Sequence, residues 1–193
     1  MGQISTMSEP ASRTVALPTL AATEALAAGI AAMARPGDCI LLEGPLGAGK
    51  TAFARAFLRA AADDSALEVP SPSFTLVQIY ETRIGPVFHY DLWRLDGSAS
   101  MAELDWDDAL DSIVLVEWPD RLGPLRPEDA LTIAFRLRDE EAREAVLTGW
   151  EGRLPSSWSG SSGPPVAAPT GGGGPGKPGH NKKGYAGHDE GGA

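Results

Sequence analysis

The sequence predicts a three-layer α/β domain on a mixed parallel and antiparallel sheet. Three observations carry this prediction. Two short apolar runs, residues 38–43 (DCILLE) and 112–117 (SIVLVE), are bounded by turn signals and look like strands buried on both faces. Helical stretches separate them from their neighbours. Alternating segments elsewhere suit hairpins and half-buried strands. A chain of 193 residues that is 42% hydrophobic has material for one such core.

The elements follow in order. Residues 1–12 are small and polar and are expected to fray. Residues 13–17 alternate, as an edge strand does. A helix is predicted over 18–34, with Thr19 as its cap and Leu20, Ala27, Ile30 and Ala31 sharing a face. Pro36-Gly37 stops it. After the strand at 38–43, an Ala/Arg/Phe helix spans 50–62. Residues 74–80 and 86–91 form a hairpin that turns near Arg83-Ile84-Gly85. An acidic helix is predicted over 101–110, ahead of the strand at 112–117. Residues 130–137 set Leu131, Ile133, Phe135 and Leu137 at the period of a half-buried strand, and 144–148 return beside it.

Composition divides the chain. Residues 153–193 hold 12 of the 23 glycines and 6 of the 16 prolines. They have too few apolar groups to offset chain entropy, so a disordered tail is expected after a body at 13–152. The formal charge of −10 argues against a strong nucleic-acid binder, because phosphate contacts need a basic face. One cysteine, Cys39, cannot form an intramolecular disulfide, which suits a reducing compartment. No apolar run is long enough for a membrane span, and residues 1–12 lack an export signal. A cytoplasmic location with no membrane partner is the expectation.

Residues 44–51 (GPLGAGKT) match G-x-x-x-x-G-K-[ST], so the layered domain is predicted to be a P-loop NTPase. Glycines let backbone N–H groups turn toward phosphate oxygens with no Cβ in the way. The helix that starts at Lys50 points its positive end at the same anion. Lys50 supplies a compact charge for the β- and γ-phosphates, and the Thr51 hydroxyl is placed for Mg²⁺. Lys50 is the only lysine before residue 177, in a stretch with 12 arginines. Arginine serves the ordinary positive charges here, and lysine stands where a planar guanidinium would not fit.

A magnesium nucleotide needs a further metal anchor and a group that orients the attacking oxygen. Glu117 and Asp91 each end an apolar run, at the strand tips where open α/β sheets bind ligands. Residues 71–74 (SPSF) offer hydroxyls in a turn suited to sensing a γ-phosphate. Trp118 either stacks on a ligand or packs. His89 suits a structural histidine better than a base, and Cys39 suits the core.

The segments GPLGAGKT, SPSFTLVQIY, HYDLWRL and VEWPDRLG, in this order and spacing, resemble the TsaE (YjeE) family over about residues 13–150. These are small bacterial P-loop ATPases needed to make threonylcarbamoyladenosine next to the tRNA anticodon. The resemblance implies that Gly47, Ala48, Gly49, Lys50 and Thr51 hold the ATP phosphates, and that Thr51 and Glu117 hold Mg²⁺. It implies that Asp91 is an essential acid near the γ-phosphate, with Lys50 and Glu117 as its catalytic companions. Residues 71–74 would be a switch, with Ser73 where the family commonly has threonine. Trp118 would be a sensitive neighbour of the nucleotide. TsaB and TsaD are the implied partners, with tRNA reached only through their complex. The Gly/Pro tail lies outside the family pattern.

Other functions are weighed against this one. A small-metabolite kinase needs a lid with phosphoryl-clamping arginines. Arg121, Arg126, Arg136 and Arg138 are available, but no compact arginine-rich lid is evident. A GTPase needs N-K-x-D, and Asn181-Lys182-Lys183-Gly184 ends in glycine. A nucleotide-gated binding module would bind tightly and release no phosphate.

Overall fold

A computed structural model describes residues 12–96, 98–138 and 143–158. The expectations for residues 1–11 and for 159–193 lie outside the described residues. The strands are β1 (Arg13–Leu17), β2 (Cys39–Glu43), β3 (Val77–Thr82), β4 (Gly85–Asp91), β5 (Ile113–Glu117), β6 (Leu131–Leu137) and β7 (Arg143–Thr148). The helices are α1 (Leu20–Ala31), α2 (Lys50–Ala62) and the short α3 (Trp106–Ala109). They are joined by 3₁₀ segments at Ser98–Leu104 and Pro119–Leu125.

The strands form a seven-stranded sheet in the order β1-β7-β6-β2-β5-β4-β3. Its centre is parallel: β2 pairs with β5 and β6, and β5 pairs with β4. The rims are antiparallel, with β3 against β4 on one side and β7 and β1 beyond β6 on the other. The mixed α/β fold is thus the one the sequence predicts. Helices α1 and α2 cover one face over Ile40, Leu42, Leu115, Ile133 and Phe135. The 3₁₀ segments and α3 cover the other, over Leu41, Tyr90, Val114 and Val116. The apolar runs of β2 and β5 are buried on both faces for this reason. In β6 Leu131, Ile133 and Phe135 reach the core, whereas Leu137, the next residue of that alternation, is exposed at the end of the strand. The Cys39 thiol sits in the second cluster, and burial pushes its pKa up to about 12. No helix among the described residues is long and apolar enough to cross a membrane.

Four local expectations are corrected. Thr19 caps α1 through the Ala22 N–H, but Leu20 is exposed, at the wall of the cleft between β2 and α2. The hairpin strand starts at Val77, not at 74. A turn closed by Leu76 N–H on Pro72 O, at 2.7 Å, takes residues 72–76 out of the ladder, with Leu76 at φ 65°. The predicted helix at 101–110 is broken at Asp105, which has φ 53°. Met101 and Trp106 are both buried, yet five residues apart they would lie about 140° apart around one α-helix. The break turns both inward, and Tyr90 Oη donates to Leu104 O at 2.7 Å beside it.

The fourth correction concerns the border at 152. Packing continues through Trp158, with Leu154 and Trp158 buried. Arg153 makes a forked pair with Asp38, both contacts at 2.7 Å, and lies 3.8 Å over the Trp150 ring. Arg13 donates to Pro155 O at 2.6 Å. These six residues have polar neighbours in sequence, but their few apolar side chains find a prepared groove against α1 and β1.

Candidate functional site

The loop between β2 and α2 bends through glycines with left-handed backbone. Gly44 has φ 133°, Gly47 78° and Gly49 111°. A Cβ on Gly44 would stand 2.6 Å from Phe135 O, so that position has no room for a side chain. Gly49 caps α2 with no side-chain bond, which leaves the first amides of the helix for another acceptor.

Lys50 starts α2 and is buried. Its ammonium donates to Gly44 O at 2.7 Å and Pro45 O at 3.0 Å, tying the loop back on itself. It also lies 3.7 Å from the centroid of the Trp118 ring. Burial lowers its pKa from that of a free lysine, while the charges of Glu117 and Asp91 act to raise it. Trp118 reaches this place from a left-handed backbone, φ 62°, rare for a bulky residue and strained. Its ring packs against that of Trp93, with centroids 4.3 Å apart and planes tilted by 50°.

The two acids are register neighbours on parallel strands, Asp91 ending β4 beside Glu117 ending β5. Each has an organised set of partners. Glu117 accepts the Thr51 hydroxyl on Oε2 at 2.7 Å and faces His89 Nε2 with Oε1 at 3.1 Å. His89 has no exposed surface, and its Nδ1 finds no hydrogen-bond partner among the described residues. Asp91 accepts Ser71 Oγ at 2.7 Å and Ser73 Oγ at 3.0 Å on Oδ2, and the Trp93 N–H at 3.2 Å on Oδ1. The serine turn is thus fastened to an acid that it precedes by about twenty residues. Thr51 and Glu117 supply oxygen donors at the lip of the loop. That is the donor type for Mg²⁺, which takes one or two protein oxygens and completes its shell with phosphate and water.

Gly47, Gly49, Lys50, Thr51, Ser71, Ser73, Asp91, Glu117 and Trp118 line one cleft of about 490 Å³. Ala48 does not; it is buried under the loop and donates its N–H to Pro45 O at 3.2 Å. The four arginines weighed as a lid are not among the cleft lining. Arg126 pairs with Glu43, and Arg136 and Arg138 with Glu144. Sequence reasoning missed Trp93 and Arg143, which do line the cleft, and gave His89 no link to Glu117. The alternation of β4 placed His89 on the side of Asp91 and was a usable signal for it. Arg143 carried no local signal, because it arrives from a strand remote in sequence.

Comparison with known proteins identifies the family. A family profile described as "Threonylcarbamoyl adenosine biosynthesis protein TsaE" matches residues 17–145. The chain is 33% identical over 126 residues to the tRNA threonylcarbamoyladenosine biosynthesis protein TsaE of Bacillus subtilis, covering 65% of this chain and 78% of that one. It is 36% identical over 126 residues to the protein of the same name from Aquifex aeolicus, covering 65% of this chain and 87% of that one. The crystal structure of Bacillus subtilis YdiB superposes with a TM-score of 0.61 at 27% identity, over 74% of this chain and 88% of that one. The chain therefore belongs to the TsaE family, which acts in tRNA threonylcarbamoyladenosine biosynthesis.

Proposed function

We propose that the chain binds Mg-ATP in this cleft and hydrolyses it to drive the cycle of a threonylcarbamoyladenosine-synthesising complex, with TsaB and TsaD as its partners. The observation that carries the reading is the convergence of Lys50, Thr51, Asp91 and Glu117 on one glycine-built loop. Backbone amides at Gly47 and Gly49 and the start of α2 would bind phosphate oxygens. An ammonium has three donors, and two are already engaged on Gly44 and Pro45, so Lys50 keeps one for the nucleotide. Trp118 now lies over that ammonium, so it must shift as phosphate enters.

Thr51 and Glu117 would hold Mg²⁺, which supplies neutralising charge on the phosphates. His89 holds the far oxygen of Glu117, so the carboxylate keeps its direction when Thr51 Oγ changes partner. Asp91 sits one strand away and would orient the attacking water as an acceptor. Its serine partners couple that carboxylate to the turn at 71–73, which would thereby respond to the phosphate end of the nucleotide. A chain of formal charge −10 suits a subunit whose hydrolysis acts on its partners, which would contact tRNA in its place.

The test is phosphate release from ATP, measured with and without the purified TsaB–TsaD pair and with small metabolites as alternative acceptors. Slow release that the pair stimulates, and that Lys50→Ala abolishes, is expected. Absence of release in the presence of the pair would overturn the ATPase reading. A phosphorylated metabolite would make the chain a kinase.

A further inference from the structure

Arg143 stands on the opposite flank of the phosphate loop from the two acids. Strand β2 feeds the loop and has β5 on one side and β6 on the other. Asp91 and Glu117 end β4 and β5. Arg143 begins β7, paired with Leu137 at the end of β6. The carboxylates thus flank the loop from one side, and a guanidinium flanks it from the other.

Local contacts aim this side chain into the cleft. Its Cδ passes 3.9 Å from the point that a Cβ on Gly49 would occupy, so its stem runs along the bare cap of α2. The residue lines the same cleft as Lys50 and Thr51. Its Nε is buried and has no hydrogen-bond partner among the described residues. Glu144, next in sequence, pairs instead with Arg138 at 2.7 Å. Successive strand residues point to opposite faces, which takes that carboxylate away from Arg143. A permanently charged group with a buried, unpaired N–H is costly unless an acceptor arrives. The acceptor suited to a planar fork of donors is a phosphate or a carboxylate.

We infer that Arg143 binds the α- and β-phosphates of the nucleotide, gripping the portion common to ATP and ADP. This rests on the Mg-ATP reading above. That reading puts the γ-phosphate beside Thr51, Glu117 and Asp91, on the β4–β5 flank. The rest of the phosphate chain then extends toward β6 and β7, where Arg143 waits. An arginine acting on the γ-phosphate would instead have to stand among Ser71, Ser73 and Asp91. The role of Arg143 is therefore affinity for both nucleotides, not selective support of the transferred group.

The test is calorimetric titration of ADP and of a non-hydrolysable ATP analogue into the full wild-type chain, Arg143→Ala and Arg143→Lys, with melting curves recorded without nucleotide. Arg143→Ala is expected to weaken both ligands by the same factor, about 10- to 100-fold, the loss of a charge-assisted hydrogen bond. Unchanged affinity in that variant overturns the inference while leaving the nucleotide reading intact. Loss confined to the ATP analogue also overturns it, because the guanidinium would then act at the γ-phosphate. A wild-type chain that binds neither ligand overturns the nucleotide reading and this inference together. Should the alanine chain fail to fold, Arg143→Lys decides. Equal weakening of both ligands by about 3- to 10-fold supports the forked contact, and affinity within about twofold of wild type refutes it.

Discussion

Replacing Gly29 with alanine should destabilise the intact chain yet stabilise one that lacks the Trp158 indole. Gly29 lies inside α1, and a Cβ there would stand 2.6 and 2.7 Å from Cζ2 and Cη2 of Trp158. Carbon atoms pack at about 3.5 Å or more, so the indole must retreat by about 1 Å. Because Trp158 is 5% exposed, that retreat disturbs a packed ring. Overpacking of this kind costs about 1–3 kcal/mol. Alanine in a helix interior gains about 1 kcal/mol over glycine. The intact chain should therefore lose up to about 2 kcal/mol, while Trp158→Ala, itself costing about 3–5 kcal/mol, should gain about 1 kcal/mol from the same replacement. Urea unfolding followed by circular dichroism, on the wild type, both single variants and the double variant, reads the coupling directly. A coupling of about 1–3 kcal/mol is expected; a value below about 0.5 kcal/mol would show that the indole does not sit on Gly29 and would refute the packing. The result matters to the site, because the first turn of α1 carries Leu20 and Thr23 into the cleft wall.

Two further predictions concern the acids. Asp91→Ala should bind Mg-ATP near normally but hydrolyse it about 10²- to 10⁴-fold more slowly, read by phosphate release at saturating ATP; normal turnover would remove Asp91 from the chemistry. His89→Leu should raise the Mg²⁺ concentration needed for half-maximal turnover by about tenfold, because Glu117 Oε1 loses its partner. His89→Gln, which can present an N–H at a similar place, should recover part of that loss, and a Mg²⁺ curve unchanged in both variants would show that the contact is idle.

Much of the cleft was legible because its logic is local. The spacing of residues 44–51 dictates a glycine turn feeding a helix, and β2 and α2 appear where that spacing requires them. Asp91 and Glu117 were found by one rule, an acid closing an apolar strand, and register then set them side by side. The errors came where distant parts of the chain compete with local preference. Residues 74–76 have strand-forming side chains, but Asp91 holds the turn before them through Ser71 and Ser73, and the ladder starts later. Residues 101–110 favour a helix, but two large side chains must enter one core, and the helix breaks at Asp105. Polar composition after 152 hid Leu154 and Trp158, whose burial depends on a groove that α1 and β1 create.

By itself the sequence determined much of the alternation of strand and helix, the glycine loop between β2 and α2, and Lys50, Thr51, Asp91 and Glu117 as residues that line the cleft beside it. Each depends on spacing within a few residues, and backbone sterics and hydrogen bonding act at that range. Only the tertiary structure decided that His89 supports Glu117, that Trp118 lies over Lys50 and that Arg143 joins the loop from the far side. Those contacts join elements that the strand order brings side by side, or one strand apart, but that are remote along the chain, and no local pattern encodes that order.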